Sequence, residues 1–405
     1  MSTDKIRIAL LTVWYPPKKG VAVNRMVAFV NYLAEINGVS VSVFTQGEGF
    51  IKPKNKSIQI YSSRPSKIHQ IVQNRTTDSK LVHKIRTAVK VIYLRLFGNE
   101  YTLWKKDILN QIIHVHKEKP FDVLISSYAP EEVHEVAIQF LKLGYKVPWI
   151  ADMRDEMSLN PGISSQLKSK LEIIEKQVNE LATGITSVSL PILNDFRKIC
   201  PEVLYFEEIR NGYDHNLKFN YSSNNIFTIG YFGSFYGSIK PTNFFAALVL
   251  FHEEFPNYFF KVELYGVHNN FNIPSQLVNF VQIYEALAYE KAIERMSTMD
   301  VNLLLLPNQD RKGVYSGKLF DYISVRKPIL ACIDPSDVAS ELIHTLDCGY
   351  IVDFNNVNQI KNAIFEAYHD WEKGFIKKAT EEEVNNLHRK VQVSKLYRFI
   401  ENVIV

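Results

Sequence analysis

Residues 211–234 read NGYDHNLKFNYSSNNIFTIGYFGS. Two turn-forming clusters, Asn211-Gly212 and the polar run from Tyr221 to Asn225, precede an apolar strand that ends on Gly233-Ser234. Chemistry of this kind punctuates a chain, and the same rhythm runs on both sides of it. Upstream, short apolar strands at 6–13, 39–45, 122–126, 149–151, 185–189 and 203–206 alternate with helix-period stretches such as 24–35 and 132–143. Downstream, strands at 226–232, 259–265, 301–306, 328–332 and 350–352 alternate with helices at 242–254, 289–299, 318–325, 336–345 and 357–373. Short buried strands between helices predict an α/β chain of doubly wound parallel sheets. The restart predicts two of them, over 1–210 and 211–380. The tail, 381–405, reads as one more helix that crosses back onto the first domain.

Composition bounds what such a chain does. The 405 residues are 46% hydrophobic and 22% charged, the balance of a soluble globular protein. Cys200, Cys332 and Cys348 are odd in number and show no CxxC spacing, which argues against a disulfide framework or a zinc site and for reduced cytosolic thiols. The first apolar run is short and lacks a cleavage site, so it reads as a strand and not a leader. No apolar run reaches the ~18 residues that span a bilayer. The expected location is the cytoplasm, at most peripheral on the inner membrane face.

The net charge of +4 is unevenly placed. Residues 52–106 hold 13 Lys or Arg against two acids, Asp78 and Glu100, a balance of +11 that leaves −7 elsewhere. This segment, with an insertion at about 62–106, breaks the strand-helix alternation. Within it, 81–97 (LVHKIRTAVKVIYLRLF) sets Leu81, Ile85, Ala88, Val89, Ile92 and Leu96 on one helical side, with Lys84, Arg86, Lys90 and Arg95 interleaved. Two readings stay open: a helix for an anionic membrane surface, or a helix packed on its own domain with a solvated basic face. No nucleic-acid partner is expected.

Neither common phosphate-binding fingerprint is present. The turn after the first strand, 14–24, contains one glycine where a dinucleotide fold needs GxGxxG, and no GxxxxGK[ST] loop occurs. Five stretches carry another likeness. They are Pro16-Pro17 leading to Gly20 and Asn24-Arg25; Phe121 to Ser127 with Pro130 and His134; Pro148 to Asp155; Asn211 to Asp214 followed by Ile229 to Ser234; and Gly317 to Pro328. In this order they resemble the GT-B glycosyltransferases, and among them the retaining group 1, or family 4, enzymes. The resemblance implies two Rossmann-like domains facing a cleft, the second holding a nucleotide diphosphate sugar.

The residues themselves support a donor site in 313–328. Gly313, Tyr315, Ser316 and Gly317 open a helix whose N-terminal N–H groups and partial positive charge suit a diphosphate. Lys318 adds a full charge, and Asp321, one turn on, can accept hydrogen bonds from ribose hydroxyls, as the resemblance also implies. The family's usual pair of glutamates is incomplete: the first falls on Gly313. Gly233 and Ser234, after the first strand of the second domain, let a ligand approach the backbone. Lys240 matches the lysine of the family's Arg and Lys pair, whereas its arginine falls on Phe235.

In the first domain, Asp155, Arg154 and Asp152 end a strand and are the expected catalytic group. Arg154 stands where the family often has His; an arginine cannot act as a base but can neutralise phosphate. Either aspartate can take a proton from an acceptor hydroxyl. Gly20, Asn24, Arg25 and His134 form the expected acceptor or phosphate loop, with a structural role open for His134. No metal or other cofactor is expected, because no Asp-x-Asp pair lies near the donor segment. The function expected is hexosyl transfer from a nucleotide sugar to a glycan or lipid-linked acceptor in surface-polysaccharide assembly. A nucleotide-sugar epimerase and an inert glycosyltransferase-like partner subunit are the alternatives.

Overall fold

The structure is a computed structural model that describes residues 6–48, 53–63, 82, 84–89, 92, 101–219, 224–267, 271–307 and 310–405. It divides into two compact units: unit 1 comprises residues 1–209 and 393–405, unit 2 residues 210–392.

Unit 1 is built on a sheet of seven parallel strands. They are β1 (Ile6–Leu11), β2 (Val39–Gln46), β3 (Ile58–Ser63), β4 (Val123–Ser127), β5 (Trp149–Met153), β6 (Gly184–Ser187) and β7 (Tyr205–Glu208), in the order β3-β2-β1-β4-β5-β6-β7. Helices cover both faces. On β1, Ala9 and Leu11 join one apolar layer while Ile8 and Leu10 join the other. A strand covered on both sides has no polar face to show, which is why it reads as a continuous apolar run.

Unit 2 repeats the design with six parallel strands. These are β8 (Phe227–Phe232), β9 (Phe260–Tyr265), β10 (Val281–Tyr284), β11 (Val301–Leu305), β12 (Ile329–Ile333) and β13 (Gly349–Asp353), in the order β10-β9-β8-β11-β12-β13. In each unit the winding direction reverses beside the first strand, between β1 and β4 and between β8 and β11. Open parallel sheets hold ligands at the carboxyl ends of their strands at such a switch point. Gly233-Ser234 leave β8 at that point.

The last helix, Arg389–Ile404, starts in unit 2 and ends in unit 1. Val393, Leu396, Ile400 and Val403 recur at helical spacing and lie in one apolar layer with Ile8, Leu10 and Ile150 of the unit 1 sheet. Lys395 Nζ reaches Glu207 Oε1 at 2.7 Å and donates to the Glu208 carbonyl at 2.8 Å. The tail expected from 381 is therefore divided, with 381–392 in unit 2 and the remainder in unit 1.

The sequence reading contains neither β3 nor β10. Both are outermost strands with one sheet face partly in water, so polar residues (Gln59, Gln282) break their apolar runs. All three cysteines are buried and free. Of the basic helix expected at 81–97, residues 82, 84–89 and 92 are described and helical; the rest lies outside the described residues.

Candidate functional site

Unit 2 brings Gly233, Ser234 and Lys318 together. Gly233 has φ 112°, a conformation that side chains resist, and a Cβ placed there would stand 2.8 Å from Lys318 Cε and 3.1 Å from Nζ. The turn needs glycine twice over: for its backbone angle and for the lysine that crosses it. The lysine amine lies 4.2 Å from the centroid of the Tyr231 ring and donates to the Tyr231 hydroxyl at 2.8 Å. That hydroxyl donates onward to the Ser234 carbonyl at 3.2 Å, and Ser234 Oγ donates to the Gly266 carbonyl at 3.1 Å. The cation is fixed by an aromatic face and a hydroxyl, and among the described residues no carboxylate pairs with it. Burial therefore pushes the amine down to about 8.

Lys318 is the second residue of helix Gly317–Ser324, and the side chain of its N-cap residue, Ser316, does not cap it. Its N–H groups and its dipole add to the lysine charge there. One turn on, the half-buried Asp321 accepts from the Tyr289 hydroxyl at 2.8 Å. Burial raises its carboxyl to about 6, against the Tyr289 hydrogen bond and the Arg389 charge, which both favour ionisation.

The loop before the helix is tethered at Gly313. This residue has φ 83° and is buried, and its N–H donates to Asp337 Oδ1 at 2.7 Å. Asp337 also caps helix Val338–Thr345, accepting from the Val338 N–H at 2.8 Å. Gly313 thus belongs to the frame of the loop, and a glutamate there would be strained by the backbone alone. Tyr315 packs its ring 5.3 Å from Phe320, and Ser316 is the N-cap residue. Lys240 is exposed on the turn entering helix Thr242–Glu254. Phe235, at the position of the absent arginine, is a core residue stacked 4.6 Å from Tyr231.

Unit 1 corrects three expectations. Asp152 is 0% exposed and receives Arg25 Nη2 at 2.8 Å, Ser127 Oγ at 2.7 Å and Thr186 Oγ1 at 2.9 Å. Burial acts to raise its carboxyl, but the Arg25 guanidinium and the hydrogen bonds outweigh it and hold the group below its ordinary value. A sealed, fully hydrogen-bonded carboxylate cannot take a proton from a substrate. Arg25, its partner, is likewise buried and also donates to the Ile209 carbonyl at 2.8 Å, so it is not available to an anionic acceptor. His134 is 0% exposed, with Nδ1 2.7 Å from Ser126 Oγ, which also accepts from Trp149 Nε1. Burial pushes His134 down to about 3, so it stays neutral in the core.

The remaining residues of that set are accessible to different degrees. Arg154, partly buried, donates to the carbonyls of Tyr128 and Ala129 and so braces the end of β4. Asp155 is partly exposed. Gly20, preceding helix Val21–Glu35, and Asn24 in its first turn are exposed. The sequence motifs do not single out Tyr231, Asp337 or Tyr289 as site residues. Asp337 carries a readable signal, an Asp before an apolar helix. Tyr289 follows β10, the strand that was itself missed.

No protein-family model and no curated protein matches the chain. Solved structures do. A sucrose-phosphate synthase from Thermosynechococcus elongatus superposes with a TM-score of 0.66 at 14% identity, over 98% of this chain and 100% of that one. Anabaena HepE in complex with UDP-glucose gives 0.59 at 13%, over 98% and 100%. The lipopolysaccharide outer core galactosyltransferase WaaB in its apo form gives 0.60 at 11%, over 98% and 99%. The chain has the GT-B fold.

The Arg25–Asp152 pair yields a direct prediction. Asp152→Ala strands a buried guanidinium and lowers the stability of unit 1 by roughly 3–5 kcal/mol, read as an earlier chemical-denaturation midpoint. An unchanged midpoint would show that the pair is not buried.

Proposed function

We propose that this chain moves a sugar from a nucleotide diphosphate sugar to a hydroxyl acceptor. The observation that carries the reading is Lys318: its amine lies on the Gly233 turn at the end of β8, beside an uncapped helix N-terminus and one turn before Asp321. In the reaction the bond between the anomeric carbon and the diphosphate oxygen breaks while the acceptor oxygen bonds to that carbon. The negative charge that appears on the diphosphate is met by the Lys318 ammonium and the helix N–H groups, and the acceptor's proton goes to a general base. Asp321 holds the ribose. This chemistry asks for positioned positive charge and no resident metal. HepE, one of the similar structures, holds UDP-glucose, and WaaB is named for galactosyl transfer to lipopolysaccharide. The family 4 resemblance supports retention of configuration, and the lipopolysaccharide substrate in the name of WaaB supports a role in surface-glycan assembly.

One observation favours a second reading, an inert partner subunit. The two positions that carry charge in the resembling enzymes are Gly313 and Phe235, and both serve the frame or the core. Thermal stabilisation by UDP-, GDP- and ADP-sugars, followed by release of free sugar or transfer, separates the two. The proposal expects stabilisation by at least one donor and slow turnover; neither with any donor would leave the inert reading standing. The epimerase alternative has lost Asp152 as a base.

The site sets a pH window. Protonation of Asp321 below about pH 6 turns the charged acceptor for ribose into a weaker neutral one. Loss of the Lys318 proton above about pH 8 removes the charge opposite the diphosphate. Affinity for UDP-glucose, whose diphosphate does not titrate in this range, is therefore highest between about 6 and 8 and falls on either side by up to about tenfold per pH unit. Lys318→Met lowers affinity roughly 10–100-fold at neutral pH and flattens the alkaline limb. An alkaline limb that survives in this variant assigns the titration to another group.

For location, we propose a peripheral site on the inner membrane face through residues 81–97. No described helix is long and apolar enough to cross a membrane. Among the described residues of the segment, Val82, Ile85, Val89 and Ile92 are exposed at helical spacing, beside the exposed Lys84. An apolar stripe edged with cations suits an anionic lipid surface. Flotation with anionic liposomes tests it: the wild type floats, and a variant with Lys84, Arg86, Lys90 and Arg95 changed to Glu does not. Equal flotation of both contradicts the proposal.

A further inference from the structure

We propose that Tyr289 is a positioning residue for the nucleotide ribose: its hydroxyl pins one oxygen of Asp321 and thereby aims the other at the ribose hydroxyls. The inference rests on the nucleotide reading of the unit 2 site and adds to it a residue outside the sequence motifs.

Tyr289 opens helix Tyr289–Ser297, on the chain that returns from the end of the edge strand β10. From there it reaches helix Gly317–Ser324, and its hydroxyl donates to Asp321 Oδ1 at 2.8 Å. The backbone of Asp214 in turn hydrogen-bonds the Tyr289 hydroxyl. A hydroxyl fixed on both sides has one orientation, and a carboxylate pinned through one oxygen has one plane. Carboxylate rotation about its last bond is otherwise broad, so this contact turns a loosely aimed acceptor into a directed one. Directed acceptors bind with less loss of side-chain freedom.

The electrostatic surroundings agree with that role. The charged and titratable groups that act on Asp321 are the Tyr289 hydroxyl and the Arg389 guanidinium, which both favour the ionised carboxylate against its burial. Asp214 Oδ2 lies 3.9 Å from Arg389 Nη1 and draws on the same guanidinium, and burial, with a smaller effect of the Asp321 charge, raises the neighbouring Tyr322 hydroxyl. Loss of the Tyr289 hydroxyl leaves Arg389 alone in favouring ionisation. Tyr289 is 42% exposed and makes no part of the apolar layers, so its hydroxyl is not a packing requirement.

The experiment compares UDP with 2′,3′-dideoxy-UDP near neutral pH, by calorimetry, on the wild type, Tyr289→Phe and Asp321→Asn. The wild type is expected to prefer UDP by roughly tenfold or more. Tyr289→Phe is expected to lose most of that preference through weaker UDP binding, with dideoxy-UDP affinity unchanged. The acidic limb of its UDP-glucose affinity moves to higher pH. Asp321→Asn shows the same loss of preference with no acidic limb. A wild-type preference and an unmoved acidic limb in Tyr289→Phe overturn the proposal while leaving the nucleotide reading in place. Failure of the wild type to bind either nucleotide overturns both.

Discussion

A lysine amine held over an aromatic ring, with a glycine turn beneath it, organises the proposed donor site of unit 2. The contact between Lys318 and Tyr231 takes the cation partly out of water without giving it an anion. An ammonium in that state is electrostatically incomplete, which is why burial brings it down to about 8. The other features of the site follow from that constraint. Gly233 has no Cβ because the lysine stem passes where one would be. The helix N-terminus that begins one residue before the lysine is not capped by the Ser316 side chain. Tyr231 is tied to Ser234 and Ser234 to Gly266, so the turn beneath the cation is braced from two strands. In the proposed function a diphosphate supplies the missing charge.

Unit 1 shows the opposite use of charge. Arg25 and Asp152 neutralise each other completely, with Ser127 and Thr186 satisfying the remaining carboxylate positions. Such a pair specifies how β4, β5, β6 and helix Val21–Glu35 meet, and it offers nothing to a substrate. Arg154, two residues after Asp152, spends its donors on the carbonyls that follow β4. A strand end thus alternates between a residue sealed in the sheet and one turned toward the loops, and Asp155, next along the chain, is partly exposed.

Much of the fold was legible because parallel strands covered on both faces leave continuous apolar runs, and the break at Asn211-Gly212 marks where a second set begins. The strands that escaped, β3 and β10, are edges whose polar residues imitate loops. The donor segment was legible because glycine, lysine and aspartate at a strand-to-helix junction have few other uses together. Tyr289 was not, since it is close to Asp321 only through the topology of β10 and the helix after it. Asp152, Arg25 and His134 misled for a different reason: residue type and strand position are the same for a sealed polar group as for a catalytic one. Burial separates them, and burial is a property of the packed chain.

The central claim is that Lys318 is held partly discharged and regains its proton on a diphosphate. Proton uptake on binding measures this directly, through titration calorimetry of UDP-glucose near pH 8 in buffers of different ionisation enthalpy. With the amine at about 8, the wild type takes up about half a proton per nucleotide bound and Lys318→Met takes up none. Binding of UDP-glucose without proton uptake, or equal uptake in the variant, would contradict it.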